Sequence, residues 1–255
     1  MSKINVDTWE PESGTAATLM ASGDTVTVPS GASLVVASGA TINITGATQT
    51  GFPSSGFVRE VVYTSSTSAG GYSPNTDVTT IIVEVLGAGG GGSHYTSDGP
   101  KVNSGAGGGY VRKTLTVVSS DTMTVTIGAL GAGGGGNSPG SNGGDTTFAS
   151  VSGTSFTTLT AGGGGGGSTT NYTPGVSGTA TGGDFNIVGA PGRTQNAGGA
   201  EGGDSPYGYG GSTSATSITI PINNGTGYGS GGGAASDSGT VGAGAAGLCI
   251  ITEYK

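Results

Sequence analysis

The chain has 255 residues, of which 58 are glycine and only 9% are charged, and its formal net charge at pH 7 is −8. So few basic residues argue against nucleic-acid binding, which needs Lys and Arg for phosphates, and against electrostatic docking on a membrane. No apolar run is long enough to span a membrane, and the polar start Met1–Asp7 is not that of a signal peptide. The single cysteine, Cys249, excludes an intrachain disulfide framework and suits a small buried core residue.

Residues 1–22 differ in composition from the rest of the chain. They contain the only tryptophan, Trp9, beside a local acidic cluster at Asp7, Glu10 and Glu12. A terminal segment with one large aromatic ring suits docking onto another protein, and the alternative is a strand that caps its own domain. We treat 1–22 as a candidate attachment segment.

A short repeat follows, in which Gly23, Gly31 and Gly39 recur every eight residues. Apolar and small polar residues alternate after each glycine, as in a β-strand. Because so short a repeat cannot bury a core alone, it is expected to stack on identical chains. We predict a homotrimeric stem, a β-prism or β-helix, at 23–56, followed by a final domain at 57–255.

The final domain is dominated by glycine between two apolar strands, predicted at Thr79–Leu86 and Leu248–Lys255. Further strands are predicted at Tyr110–Val117 and Met123–Ile127. A disordered linker is the alternative that such a composition suggests. The ordered alternative is a bundle of polyproline-II-type segments, with three residues per turn and backbone hydrogen bonds to neighbouring segments. We therefore predict an all-β chain with polyglycine-II segments and no substantial α-helix.

Catalytic signals are weak in this sequence. The only histidine, His94, has no nucleophile signature near it, and no carboxylate, His or Cys cluster has metal-ligand spacing. Asp145, Asp184 and Asp204 each follow Gly-Gly, which favours acceptors for backbone amides over a glycosidase carboxylate pair. The run Gly162–Gly167 lacks the Gly-Lys-Ser/Thr of a phosphate loop. We expect no enzyme, cofactor or metal.

The glycine blocks come in a recognisable order. A strand running into Gly87–Gly92 is followed by Gly107–Lys113, Gly133–Gly136, Gly143–Phe148, Ala161–Gly165, Thr181–Asp184 and a closing Ile250–Tyr254. This order resembles the glycine-rich domain at the tips of tailed-bacteriophage fibres, over roughly residues 79–255, and the stem resembles short modules in fibres of marine phages. The resemblance implies a polyglycine sandwich whose distal loops bind a host surface receptor. Gaps such as Ser168–Ser177 differ freely from the family, so the receptor's identity does not follow.

Segments between the glycine blocks carry Tyr, Ser, Asn and Thr, the composition that binding loops favour. The candidate receptor contacts are His94, Tyr95, Tyr172, Tyr207 and Tyr209. The alternative for each ring is packing over glycine backbone.

The expected function is that of a virion tail-fibre protein, a homotrimer joined to other virion proteins through its N-terminus. Its tip would bind a surface glycan or outer-membrane protein of the host, with avidity from many copies. A purely structural virion protein, an ice-binding glycine bundle and a depolymerase are the alternatives.

Overall fold

The computed structural model describes residues 56–95, 102–170, 172–195, 199–212, 223–236 and 240–255. All of them belong to the unit Ser54–Lys255. The attachment segment predicted at 1–22 and the stem predicted at 23–56 therefore lie outside the described residues, apart from Gly56. Across these ranges the chain contains strands and no α-helix, which confirms the all-β prediction.

Fourteen strands occur in the described residues. In chain order they are β1 (Phe57–Tyr63), β2 (Thr80–Leu86), β3 (His94–Tyr95), β4 (Val102–Asn103), β5 (Tyr110–Thr116), β6 (Thr122–Thr126), β7 (Thr146–Ser152), β8 (Leu159–Ala161), β9 (Ala180–Thr181), β10 (Phe185–Ile187), β11 (Thr194–Gln195), β12 (Gly199–Ala200), β13 (Ala234–Ser236) and β14 (Leu248–Tyr254). The four strands that the sequence delimits most clearly, β2, β5, β6 and β14, lie within one residue of their predicted bounds.

The larger sheet is open and antiparallel, with the strand order β1-β14-β2-β5-β10. The two strands that bracket the glycine-rich region, β2 and β14, pair directly, with Leu86 opposite Leu248. The region is thus closed on itself, as the two apolar strands predict. A second open sheet has the order β6-β7-β8-β9 and is also antiparallel.

The two sheets pack face to face and form a sandwich around one apolar core. Alternate residues of β2, Ile81, Val83 and Val85, point into this core, as the period of two in a strand requires. The second sheet contributes Phe148, which is fully buried and stacks on Phe156 at 5.5 Å between ring centroids. Cys249 is fully buried in the same core, as predicted, and burial raises the pKa of its thiol.

Glycine-rich segments extend the strands of the sandwich beyond one of its two ends. Every strand of the two sheets except β1 is followed or preceded by such a segment, with at most one residue between them. These segments lie side by side and form a polyglycine bundle. The central segment of the bundle is 87–93, the continuation of β2.

The central segment shows how the bundle is held together. The amides of 87–92 donate, in rotation, to three neighbouring segments at 2.8 to 3.1 Å, with acceptor carbonyls on Gly109, Gly144, Ala245, Ala106, Ser141 and Gly242. Its carbonyls accept in the same rotation from three other segments, at the amides of Gly164, Gly131, Gly232, Gly167 and Gly134. A partner that recurs every third residue is the arrangement that three residues per turn produce. The central segment therefore has neighbours on six sides.

The longest glycine run, Gly162–Gly167, is ordered in the same way. All six of its amides donate at 2.7 to 2.9 Å, four to backbone carbonyls and two to the side-chain oxygens of Asp145 and Asn142. The glycine positions inside the bundle have no room for a side chain, since a Cβ on Gly91 would lie 2.0 Å from the carbonyl oxygen of Ala132, whereas the methyl groups of Ala88 and Ala106 are accommodated fully buried. The disordered alternative is wrong for the described residues.

Candidate functional site

The sandwich and the bundle give the domain two different ends. The first strand begins at Phe57, which packs on Tyr254 at the end of the sandwich opposite the bundle. The central segment extends from the other end of the sandwich. At roughly 3.1 Å per residue, His94 lies about 22 Å beyond Gly87. We call the end of the bundle at His94 the distal end.

Polar side chains at the distal end tie several loops to the bundle. Asn103 is fully buried; its Nδ2 donates to the carbonyls of Ser168 and Thr170 at 2.7 and 2.8 Å, and its Oδ1 accepts from Thr194 at 2.6 Å. The neighbouring hydroxyl of Ser104 accepts from the amide of Arg193 at 2.7 Å. Sequence reasoning missed both residues, although a polar pair directly before a glycine block was the available signal. They hold the loop ends in fixed positions.

His94 and Tyr95 form the short strand β3 at this end. The amide of His94 donates to the carbonyl of Ser138 at 3.1 Å, and β3 pairs in parallel with β13. Tyr95 is half-buried and packs on a small apolar cluster that includes Val102. Tyr95 therefore combines ring packing with partial exposure.

Tyr172 lies in the loop whose carbonyls Asn103 holds. Its side chain is 69% exposed, and its φ of 58° lies in the left-handed region that residues with side chains rarely adopt. Backbone strain of this kind is maintained only when surrounding contacts impose it, and it clusters at functional sites. Beside this loop end, Arg193 and Glu201 form an ion pair at 2.9 Å and line a cavity of about 200 Å³. The distal end thus carries an exposed ring, a half-buried ring and paired charges.

The other two candidate residues lie elsewhere. Tyr207 packs near Tyr110, with ring centroids 6.4 Å apart, and its hydroxyl donates to Glu84 of β2. Tyr209 follows in the same turn and is 79% exposed. Because Glu84 precedes the bundle, these rings lie on the flank of the domain where the bundle meets the sandwich. The structure brings His94, Tyr95 and Tyr172 to one end and separates Tyr207 and Tyr209 from them.

Glu84 dominates the electrostatics of this flank. Burial, and then the Glu84 carboxylate, raise the pKa of Tyr110 to about 12. The same two causes raise the pKa of Tyr207, so its phenol stays protonated and acts as a donor. Arg112 lies 3.6 Å from Glu84 and partly balances its charge.

The three aspartates that follow Gly-Gly act as acceptors. Asp145 accepts from the amide of Gly163 at 2.8 Å, and Asp204 from that of Gly210 at 2.7 Å, as predicted. Asp184 differs, because it accepts from the Thr114 amide and from Lys113 in β5 rather than from a glycine segment, and these bonds lower its pKa.

Within the described ranges, no group of three or more His, Cys, Asp or Glu side chains could hold a metal ion. The same ranges contain no helix long and apolar enough to cross a membrane.

The fold and its distal end define a β-sandwich domain that carries a polyglycine bundle. A family model described as a glycine-rich domain matches residues 63–254, and the chain belongs to that family. The comparison with curated proteins found no match.

Proposed function

We propose that this chain is a tail-fibre protein of a tailed bacteriophage and that the distal end of its bundle binds a receptor on the host surface. His94, Tyr95 and Tyr172 are the proposed contacts, and the receptor is a surface glycan or an outer-membrane protein. The observation that carries the proposal is the rotation of hydrogen bonds around the central segment, because it makes a rigid support from backbone alone.

Such a support suits a receptor-binding protein for a physical reason. The bundle does not depend on side-chain packing, so the loops that join its segments can change in sequence without loss of the support. Asn103 then fixes the ends of two loops, which reduces the entropy that they lose on binding.

The position of the chain entry also supports the proposal. Phe57, the first residue of β1, lies at the end of the sandwich opposite the bundle and therefore away from the distal loops. We further propose that the protein is a homotrimer joined to other virion proteins through residues 1–22. Several weak contacts per particle would then give strong attachment by avidity.

The test uses the full-length protein, labelled with a fluorophore, on a panel of bacteria with an outer membrane. We expect it to label some strains and to block adsorption of phages to them, and we expect Tyr172→Ala to weaken labelling about tenfold. Val151→Ala, an exposed change on the sandwich, is the matched control and should label as the unchanged protein does. If no strain is labelled and no adsorption is blocked, the purely structural virion protein becomes the better account.

A further inference from the structure

Two interlocked turns form a groove on the flank of the domain. Residues 205–209 and the turn at Thr226 and Gly227 line a cavity of about 530 Å³, a size typical of small-molecule sites. The groove lies beside β2, whereas His94 lies at the other end of the central segment.

The groove is preformed because its two turns are packed backbone to backbone. A Cβ on Gly208 would lie 1.9 Å from the carbonyl oxygen of Thr226, and a Cβ on Gly227, where φ is +68°, would lie 2.0 Å from that of Tyr207. The first turn also closes on itself, since the amide of Ser205 donates to the carbonyl of Gly208 at 2.9 Å. These close approaches and the hydrogen bond define the shape of the groove.

The two tyrosines of the groove are held in different ways. Tyr209 has its backbone fixed on both sides by Thr226, which donates its amide to the Tyr209 carbonyl at 2.9 Å and accepts from the Tyr209 amide at 3.2 Å. Its ring nevertheless remains exposed, so an aromatic face is presented at little cost in backbone entropy. Tyr207 is oriented by the bond from its hydroxyl to Glu84.

We propose that this groove binds a neutral saccharide, with the ring of Tyr209 as the stacking platform. A pyranose presents one face of weakly polarised C–H groups, which suits the negative face of an aromatic ring, and hydroxyl groups, which suit backbone and Ser or Thr partners. The negative groups nearby, Glu84 and Asp204, disfavour an acidic sugar.

This inference rests on the proposed function and deepens it, because it gives the protein a second contact with a surface polysaccharide. The distal end and the groove would both be occupied when the domain lies against a cell surface. Saccharide binding by the purified protein, measured apart from cells, tests the groove without testing adsorption.

The experiment is saturation-transfer NMR on the full-length protein with the methyl glycosides of glucose, galactose, mannose and N-acetylglucosamine, and with glucuronate as the acidic probe. We expect transfer to at least one neutral glycoside, about a tenfold weaker affinity in Tyr209→Ala, and nearly full affinity in Tyr209→Phe, which keeps the ring. Val151→Ala, an exposed change on the sandwich, should bind as the unchanged protein does.

Three results would overturn the inference. They are no transfer to any neutral glycoside, a Tyr209→Ala variant that binds as tightly as the unchanged protein, and a preference for glucuronate. Thermal melts of the variants accompany the measurement, and since Tyr209 is largely exposed we expect their midpoints to match. If the unchanged protein binds a neutral glycoside but labels no cells, the result counts against the proposed function and still supports saccharide binding in the groove.

Discussion

The sandwich and the bundle are built by opposite means within one domain. The sandwich is held by side chains, with residues such as Val83, Val111 and Phe148 fully buried between its sheets. The bundle is held mainly by backbone amides and carbonyls, and its glycine positions leave no room for a side chain. In the sandwich, stability depends on which side chain is present, whereas at the glycine positions of the bundle it depends on the absence of a side chain.

This difference explains why the strands run straight into glycine. A strand that leaves the sheet loses its paired neighbours, and its amides need acceptors elsewhere. In this chain they find them in the continuations of other strands, so β2 and β14 hold the bundle together at its base.

The largest effect is expected for removal of a ring from the sandwich. Phe148→Ala leaves a cavity beside Tyr72 and Phe156, and we expect a loss of about 3–5 kcal/mol in the free energy of unfolding. Val151→Ala, on the same strand but exposed, should change it by less than about 0.5 kcal/mol. Urea unfolding followed by circular dichroism measures both.

Adding one methyl group to the bundle should cost nearly as much. Gly91→Ala places a Cβ 2.0 Å from the carbonyl of Ala132, so backbone must shift, and we expect a loss of about 3 kcal/mol. Gly135→Ala is the matched control, because no atom lies within 4 Å of its added Cβ. Equal melting temperatures for the two variants would contradict the packing described for the bundle.

A partly buried ion pair at the edge of the sandwich gives a pH-dependent prediction. Arg59 donates two bonds to the fully buried Glu253, at 2.7 and 2.8 Å, and the hydroxyl of Tyr72 donates a third at 3.0 Å. Burial would raise the pKa of Glu253, but these bonds and the charge of Arg59 outweigh it and hold that pKa below its usual value. The stability that results is present above pH about 4.3 and is lost as pH falls through the native pKa.

We therefore expect the unfolding free energy to fall below about pH 4.3, and to fall less steeply in Glu253→Gln. Arg59→Ala should lose about 2 kcal/mol at pH 7, less than for a fully buried pair because Arg59 is partly exposed. Urea titrations from pH 3 to 7 provide the measurement. Identical pH profiles for Glu253→Gln and the unchanged protein would show that the carboxylate contributes nothing.

The smallest effect concerns a side chain that completes the bundle. Asp145→Ala removes the acceptor for the Gly163 amide, and we expect a loss of about 1 kcal/mol. Asp145→Asn keeps an oxygen at the same place and should lose less. Thermal melts of the two variants give the comparison, and a larger loss in the asparagine variant would exclude the acceptor role.

The sequence predicted the all-β class and the main strands better than the site. Strands such as β2 and β14 were predictable because alternation of apolar residues depends on local sequence alone. Asp145 and Asp204 were predictable for a similar reason, since a carboxylate beside a glycine block has amides within reach.

The positions of the candidate residues were not predictable. Tyr95 and Tyr209 occur in loops of similar composition, yet the order in which segments pack around 87–93 puts them at different places. Glycine blocks carry no side-chain pattern that encodes that order. The role of Asn103 depends on three long-range hydrogen bonds, to Ser168, Thr170 and Thr194, and was missed for the same reason.

Amide hydrogen exchange at Gly162–Gly167, resolved by NMR, tests the central claim most directly. Because each of these amides donates to a neighbouring segment, we expect protection comparable to that of the amides in β2. Exchange at the rate of an unstructured peptide would contradict the account of the bundle as a rigid support.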